Sequence, residues 1–457
     1  MKYVSTRDDT KEFNFEDVFI KSLADDGGLF VPASLKKYNS EELSKLKDLN
    51  YQELATEIIH LFSSEFISFK ELSSLIEKSY STFREKNVVK ISEIRNLKLL
   101  ELFHGPTLAF KDVAMQFIGN LYEYYLSKKN EKINIVVATS GDTGSAAIDA
   151  IKGKSNLNIF VLHPNNKISS VQRKLMTTVD EKNVFNIAID GNFDDCQNIV
   201  KQMFSDLEFS KSINMSGVNS INWARIIAQS VYYFYSYLKL DKNKPISFSV
   251  PTGNFGDVFA GYISKKMGLP IDKLIVATNK NDILHRAISK GDYVSKEVKE
   301  TISPSMDIQL ASNFERLIYY ANNSDSAITA DIMKKIKQNT YQIDKPSLEI
   351  IQKDFISESC NEEETLNIIK KTYEENNVIL DPHTAVGVGA AKKLSLANDC
   401  VVLSTAHPCK FQDATNDAIN KHEKLPEELQ HVLDKDENFQ VLKNNTEEVK
   451  NFVKSKV

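Results

Sequence analysis

Twice in this chain a strand-like segment passes through a glycine loop into a helix-forming segment, and a chain built that way is committed to a layered α/β fold. The first instance is INIVVATS at 133–140, followed by GDTG and the helix-like SAAIDAIKG. The second is SFSVPTGNFGDVFAGYISKKMG, where a strand at 246–250 leads through a loop into a helix that Gly268 ends. Apolar runs without alternation mark strands covered on both faces, as in parallel sheets flanked by helices. LIVAT at 274–278 and CVVLST at 400–405 add two strands, the latter after the helix-like GVGAAKKLSLA. From about residue 95 onward the alternation predicts a mostly parallel α/β sheet.

The first ninety or so residues read differently. Leu54, Ile58, Leu61 and Phe66 recur at helical spacing, Ser68 and Glu71 form a capping box, and Phe69, Leu72, Ile76 and Tyr80 continue an apolar face. Beyond about 425 the chain is polar, and solvated helices or a frayed end are expected. At 457 residues it exceeds what one core supports, so two or three domains are expected. A hydrophobic content of 42% and a net charge of -5 exclude disorder, and no basic face is present for nucleic acid. Cys196, Cys360, Cys400 and Cys409 are scattered without a CxxC pair, which argues against disulfides and structural zinc. The start MKYVSTRDD has no apolar stretch of the signal-peptide kind, and no window reaches the roughly 18 apolar residues of a membrane span. A cytoplasmic protein without a membrane partner is expected.

Glycine is scarce, 16 in 457 against about 7% in an average protein, so its clustering carries information. Gly105, Gly141, Gly144, Gly253 and Gly256 fall in three short loops, two of which leave a strand and open a helix. There, backbone N–H groups and the helix dipole favour an anion, although the same glycines could serve only to turn the chain. Neither loop matches a dinucleotide fingerprint, which argues against a nicotinamide oxidoreductase, or a Walker A motif. The GKS triplet at 153–155 lacks the upstream glycine, and HExxH and GxSxG are absent. His383, His407 and Cys409 have no recognised zinc spacing. In HGPTLAFKDVAMQFIGNL a Gly-Pro turn precedes a helix with Lys111 on its first turn. A cation is disfavoured at a helix N-terminus while an amine held as an imine is not, yet a surface lysine satisfies the same sequence.

FHGPTLAFKD, TSGDTG, NSINWAR, PTGNFGD, DPHTAVG and STAHP occur in the order seen in threonine synthases, and the opening STRDDTKEFNFEDVFIKSLADDGGLFVP resembles that family's first segment. The resemblance spans residues 1 to about 420. It implies the tryptophan-synthase-like fold of pyridoxal-phosphate (PLP) enzymes, fold type II, with the cofactor between a smaller and a larger α/β domain. The expected division is an N-terminal mainly helical domain at 1–92, a large domain at 93–115 and 218–457, and a smaller one at 116–217.

Carried onto matching positions, the resemblance implies that Lys111 is the Schiff-base lysine. Gly253, Asn254, Phe255 and Gly256 would surround the cofactor phosphate, and Thr405 would bond the pyridine nitrogen. Asp142 stands where many fold-type-II enzymes place Asn beside the ring hydroxyl. Ser220 and Arg225, just before an amphipathic helix, match residues used for the substrate phosphate, although Trp223 and Ala224 replace the usual Pro-Tyr or Pro-His; a buried arginine could instead pair with a carboxylate. Thr139, Ser140 and Thr143 either bind substrate or cap the following helix. His104, His383 and His407 read as turn residues. The implied enzyme is a carbon–oxygen lyase acting on phosphate: O-phospho-L-homoserine and water give L-threonine and phosphate. A related phospholyase, a serine or threonine dehydratase, or a non-enzymatic phospho-ligand binder would keep the same scaffold. Fold-type-II enzymes are often homodimers, but no interface is legible in the sequence.

Overall fold

The segment at 246–251 becomes the strand Ile246–Pro251, buried along its whole length, inside a six-stranded sheet. The computed structural model describes residues 1–95, 97–240, 244–397 and 400–457. Its contacts divide the chain into two units, each assembled from three stretches. The larger comprises Met1–Glu77, Glu85–His104 and Ser220–His422; the smaller comprises Lys78–Arg84, Gly105–Asn219 and Glu423–Val457.

The larger unit's sheet runs Phe355–Ser359, Ile271–Thr278, Ile246–Pro251, Cys400–Ser404, Leu97–Glu101, Lys90–Ile94. Every neighbouring pair is parallel except the last. The helix Pro382–Lys393 lies so close to the sheet that a Cβ on Gly387 would sit 3.0 Å from Val402. Its valines join Leu99, Ile275 and Val402 in the core. The N-terminal region is mainly helical, with the Ser68 and Glu71 box in place, and Met1–Glu77 belongs to the larger unit rather than forming a unit of its own. It also carries an antiparallel ribbon, Tyr3–Ser5 against Phe30–Pro32, whose strands are too short to show a periodicity.

The smaller unit's sheet is wholly parallel, in the order Gln440–Lys443, Val184–Asp190, Leu157–Pro164, Ile133–Ala138, Met215–Ser216. One expectation changes here. Residues 105–115 were placed with the large domain, but the helix Lys111–Lys129 packs on Asp142–Ile151 in the smaller unit; a Cβ on Gly119 would come within 2.4 Å of the Ala150 carbonyl oxygen. The polar tail takes the helical one of its two expected forms at Glu427–Gln430 and Thr446–Lys454, and adds a strand that the sequence did not announce. Gln440–Lys443 pairs with Val184–Asp190, and Leu442, Val449 and Val453 enter the smaller core. Three apolar residues at wide spacing were too thin a signal to read.

No helix among the described residues is long and apolar enough to cross a membrane. All four cysteines are buried thiols, and burial pushes Cys196 up to about 12 and Cys360 up to about 11, so neither is a ready nucleophile.

Gly119 sets how closely the Lys111 helix approaches its neighbour. Alanine there gains up to about 1 kcal/mol of helix propensity. Its methyl must displace a backbone carbonyl, an overpacking cost of about 1–3 kcal/mol. Gly119→Ala should therefore lower stability in a urea titration followed by ellipticity; equal or greater stability would mean the two helices part without cost.

Candidate active site

Lys111 opens its helix without a side-chain cap, and the turn before it is organised by Asp112. The Asp112 carboxylate accepts from the Thr107 N–H at 2.8 Å and from the Thr107 hydroxyl at 2.6 Å. Gly105 has to be glycine, because a Cβ would lie 2.3 Å from Asp112 Cβ. Lys111 is buried, with Nζ 3.5 Å from Asp142 Oδ2 and 5.0 Å from the centre of the Phe110 ring.

Asp142 starts the helix Asp142–Ile151, where the dipole favours a carboxylate. Its other oxygen is fixed by Gln172, whose Nε2 donates to Asp142 Oδ1 at 2.9 Å while the Ser169 hydroxyl donates to Gln172 Oε1 at 2.9 Å. With both ends of that amide committed, Asp142 is met as an acceptor, as suits an ionised carboxylate. Gly141, at φ 134°, makes the arrangement possible: a Cβ would press on the Gln172 amide at 2.8 Å. Thr139 turns out to be a cap, its hydroxyl oxygen accepting from the Gly141 N–H at 2.9 Å and the Gly144 N–H at 2.8 Å. Ser140 and Thr143 are half-buried and take no part in that cap among the described hydrogen bonds.

The remaining expected residues lie in the larger unit. The strand Ile246–Pro251 ends in a loop whose Gly253 has no space for a side chain, since a Cβ would approach the Ser305 carbonyl oxygen to 2.5 Å. Phe255 is buried at φ 64° and starts the helix Gly256–Lys266. Asn254 is exposed, while its carbonyl accepts from the N–H and the Nδ2 of Asn313 at 3.1 and 3.0 Å. The same Nδ2 donates to the Ser220 carbonyl at 3.2 Å, so Ser220 and the 253–256 loop are brought together. Arg225 lies inside the helix Trp223–Leu240 rather than before it, and Asn222 caps the start by accepting from Ala224 N–H at 2.9 Å. The unusual Trp223 therefore leaves the register intact. Arg225 is buried, and burial brings it down to about 10, still a cation at neutral pH.

Thr405 follows the strand Cys400–Ser404, its N–H donating to Thr384 Oγ1 at 3.3 Å. Thr384 also donates to the Asp381 carboxylate, and the His383 ring nitrogen Nδ1 lies 2.9 Å from Asp381 Oδ1. On its far side, His383 Nε2 accepts from the Ser305 N–H at 3.3 Å, so one buried carboxylate fixes both Thr405 and the residue packed on Gly253. His104 pairs with Glu101 at 2.9 Å, and His407 accepts from Cys409 N–H at 3.2 Å.

Gln172, Asn313, Ser305, Asp381 and Thr384 escaped the sequence reading. Asp381 and Thr384 stand in a quoted motif, where Asp before Pro signals a helix start. The other three act from distant parts of the chain, Gln172 from the helix Ser170–Thr177, Ser305 through its backbone and Asn313 through both its N–H and its amide, so no spacing reveals them. In chemical terms the residues offer a buried amine beside a fixed carboxylate, a side-chain-free loop at a helix start, a hydroxyl at a strand end and a buried guanidinium. Taken unit by unit, the amine of the smaller unit suits a carbonyl carbon, and the backbone N–H groups at the helix N-terminus of the larger unit suit a phosphate.

Family models match along the chain: "Threonine synthase N terminus" at residues 2–80, "Pyridoxal-phosphate dependent enzyme" at 95–405, and "Threonine synthase, C-terminal" at 384–453. The threonine synthase of Pseudomonas aeruginosa is 43% identical over 459 residues, covering 99% of this chain and 98% of the relative. That of Saccharomyces cerevisiae is 45% identical over 477 residues, covering 94% and 93%. Among solved structures, PLP-bound threonine synthase from Brucella melitensis is similar with a TM-score of 0.96 at 44% identity, covering 100% of this chain and 99% of that one. The yeast threonine synthase structure gives a TM-score of 0.94 at 43% identity, covering 100% and 98%.

Gly253 supplies a direct test of the loop. Gly253→Ala forces the Ser305 carbonyl away at about 1–3 kcal/mol, so PLP affinity should fall roughly ten- to hundredfold in a fluorescence titration of apoenzyme. Unchanged affinity would remove this loop from the phosphate site.

Proposed function

We infer that O-phospho-L-homoserine is the substrate from one premise: the chain belongs to the threonine synthase family of PLP-dependent enzymes. The reaction we propose is O-phospho-L-homoserine plus water to L-threonine plus phosphate. The observation that carries it is the buried Lys111 amine set 3.5 Å from a carboxylate that Gln172 holds in place. PLP, when bound, supplies an aldehyde that captures amines and a ring that stabilises negative charge developing on the carbons beside the captured nitrogen.

Lys111 would hold the cofactor covalently, and its amine when free would move protons at Cα and Cβ of the substrate. Asp142 orients that amine and balances its charge when it carries a proton. The N–H groups of the 253–256 loop are assigned to the cofactor phosphate, and the Thr405 hydroxyl to the ring nitrogen. A hydroxyl, unlike a carboxylate, leaves that nitrogen largely unprotonated and so moderates the withdrawal of electrons. Arg225 and Ser220 are assigned to the substrate phosphate. A buried guanidinium suits the departing dianion, because the same low dielectric that lowers its proton affinity strengthens its pull on an anion. Ser140 and Thr143 remain as further donors to substrate, and Thr139 serves them by shaping the loop.

Borohydride treatment of purified protein followed by peptide mapping should place the label on Lys111. Lys111→Ala should lower turnover by about a thousandfold or more, the upper part of the range for losing a general acid–base group. Arg225→Met should raise KM for the phosphorylated substrate by about tenfold or more, the cost of a lost charged hydrogen bond. Threonine as product supports the synthase. 2-Oxobutanoate as sole product would replace it with a phospholyase or dehydratase, and a label on another lysine would overturn the assignment of Lys111.

A further inference from the structure

We propose that Arg316, braced by the N-terminal segment, is a positioning residue that sets the spacing of the two phosphate-facing loops, 220–222 and 253–256. Arg316 is fully buried in the larger unit. Its guanidinium spends its donors on three separate stretches of chain: Nε on the Phe30 carbonyl at 3.0 Å, Nη2 on the Ile221 carbonyl at 2.7 Å, and Nη1 on the Asn313 side-chain oxygen. Asn313 extends the reach, since its Nδ2 bonds the carbonyls of Ser220 and Asn254. From one cation the bonding passes to the loop assigned to the substrate phosphate, to the loop assigned to the cofactor phosphate, and to the ribbon strand Phe30–Pro32.

Packing alone does not account for an arginine here. A guanidinium removed from water carries a large desolvation penalty, and an apolar side chain of similar volume would fill the space without it. The three oxygens that accept from it are uncharged, and burial brings Arg316 down to about 9. The adjacent carboxylate, Glu315, is engaged elsewhere: Arg7 grips it with Nε at 2.8 Å and Nη2 at 2.7 Å, and the Thr6 hydroxyl donates to it at 2.6 Å. What arginine offers that methionine or lysine cannot is a rigid planar fork with several directed donors. The Arg7–Glu315 pair ties the first strand to the helix Phe314–Ala321 that carries Arg316, giving the N-terminal segment a task in phosphate binding although none of its residues is assigned to a ligand.

The proposal rests on the assignment of Ser220 and Arg225 to the substrate phosphate, and inorganic phosphate as competitive inhibitor of the holoenzyme probes that directly. For Arg316→Lys, which keeps the charge and loses the fork, KM for O-phospho-L-homoserine and Ki for phosphate should rise together by about tenfold, with kcat within about threefold. Arg7→Gln, remote from both loops, should move KM and Ki in the same direction by about threefold, through loss of one partly buried ion pair. Folded variants that keep wild-type KM and Ki, whatever their melting temperature, would overturn the proposal and leave the assignment of Ser220 and Arg225 standing. If Arg316→Lys does not fold, Arg7→Gln decides by the same two constants. Should wild-type enzyme itself be indifferent to phosphate, the assignment falls and the proposal with it.

Discussion

Burying a charge-bearing amine is tolerable only where its partner is fixed, and the pair of Lys111 and Asp142 is where this fold meets that demand. Each stands at the first residue of its helix, and the two helices approach closely at Gly119 and Ala150. The carboxylate cannot swing away, because Gln172 and Ser169 hold its far oxygen. Gly141 and Gly105 are glycines for the same reason: a methyl at either would push on the side chains that aim this pair.

The same economy recurs in the larger unit, where fixed backbone does most of the work. Glycines at 253 and 256 leave a helix start bare, while Asn313 and Ser305 pack against it through backbone and amide groups. Asp381 organises the other end through His383 and Thr384. Cations with lowered proton affinity, Arg225 and Arg316, lie buried in this unit; that is costly without an anion to face and favourable with one.

Much of this was legible in the sequence, for physical reasons. Strands covered on both faces are rich in apolar residues, so 133–138 and 400–404 announce themselves, and scarce glycines mark the loops that follow 133–138 and 246–251. Illegible were features decided by distant partners. Lys111 reads identically whichever unit its helix joins, and only packing against Asp142–Ile151 decides. Gln172 is an ordinary polar residue until Asp142, thirty positions earlier, is folded onto it. Arg316 bonds backbone carbonyls, which every residue has, so no pattern of side chains points to it. The strand Gln440–Lys443 is four residues long with one buried, below any threshold of periodicity.

That last strand has a consequence for how the molecule is made. Its partner, Val184–Asp190, emerges from the ribosome some 250 residues earlier, and the Ser220–His422 stretch of the larger unit is synthesised in between. At about 5–20 residues per second, a row of unsatisfied N–H and C=O groups stays open for tens of seconds, when edge-to-edge association between nascent chains is most damaging. Asp190, the exposed last residue of that strand, gives the edge charge where a growing chain most needs a gatekeeper.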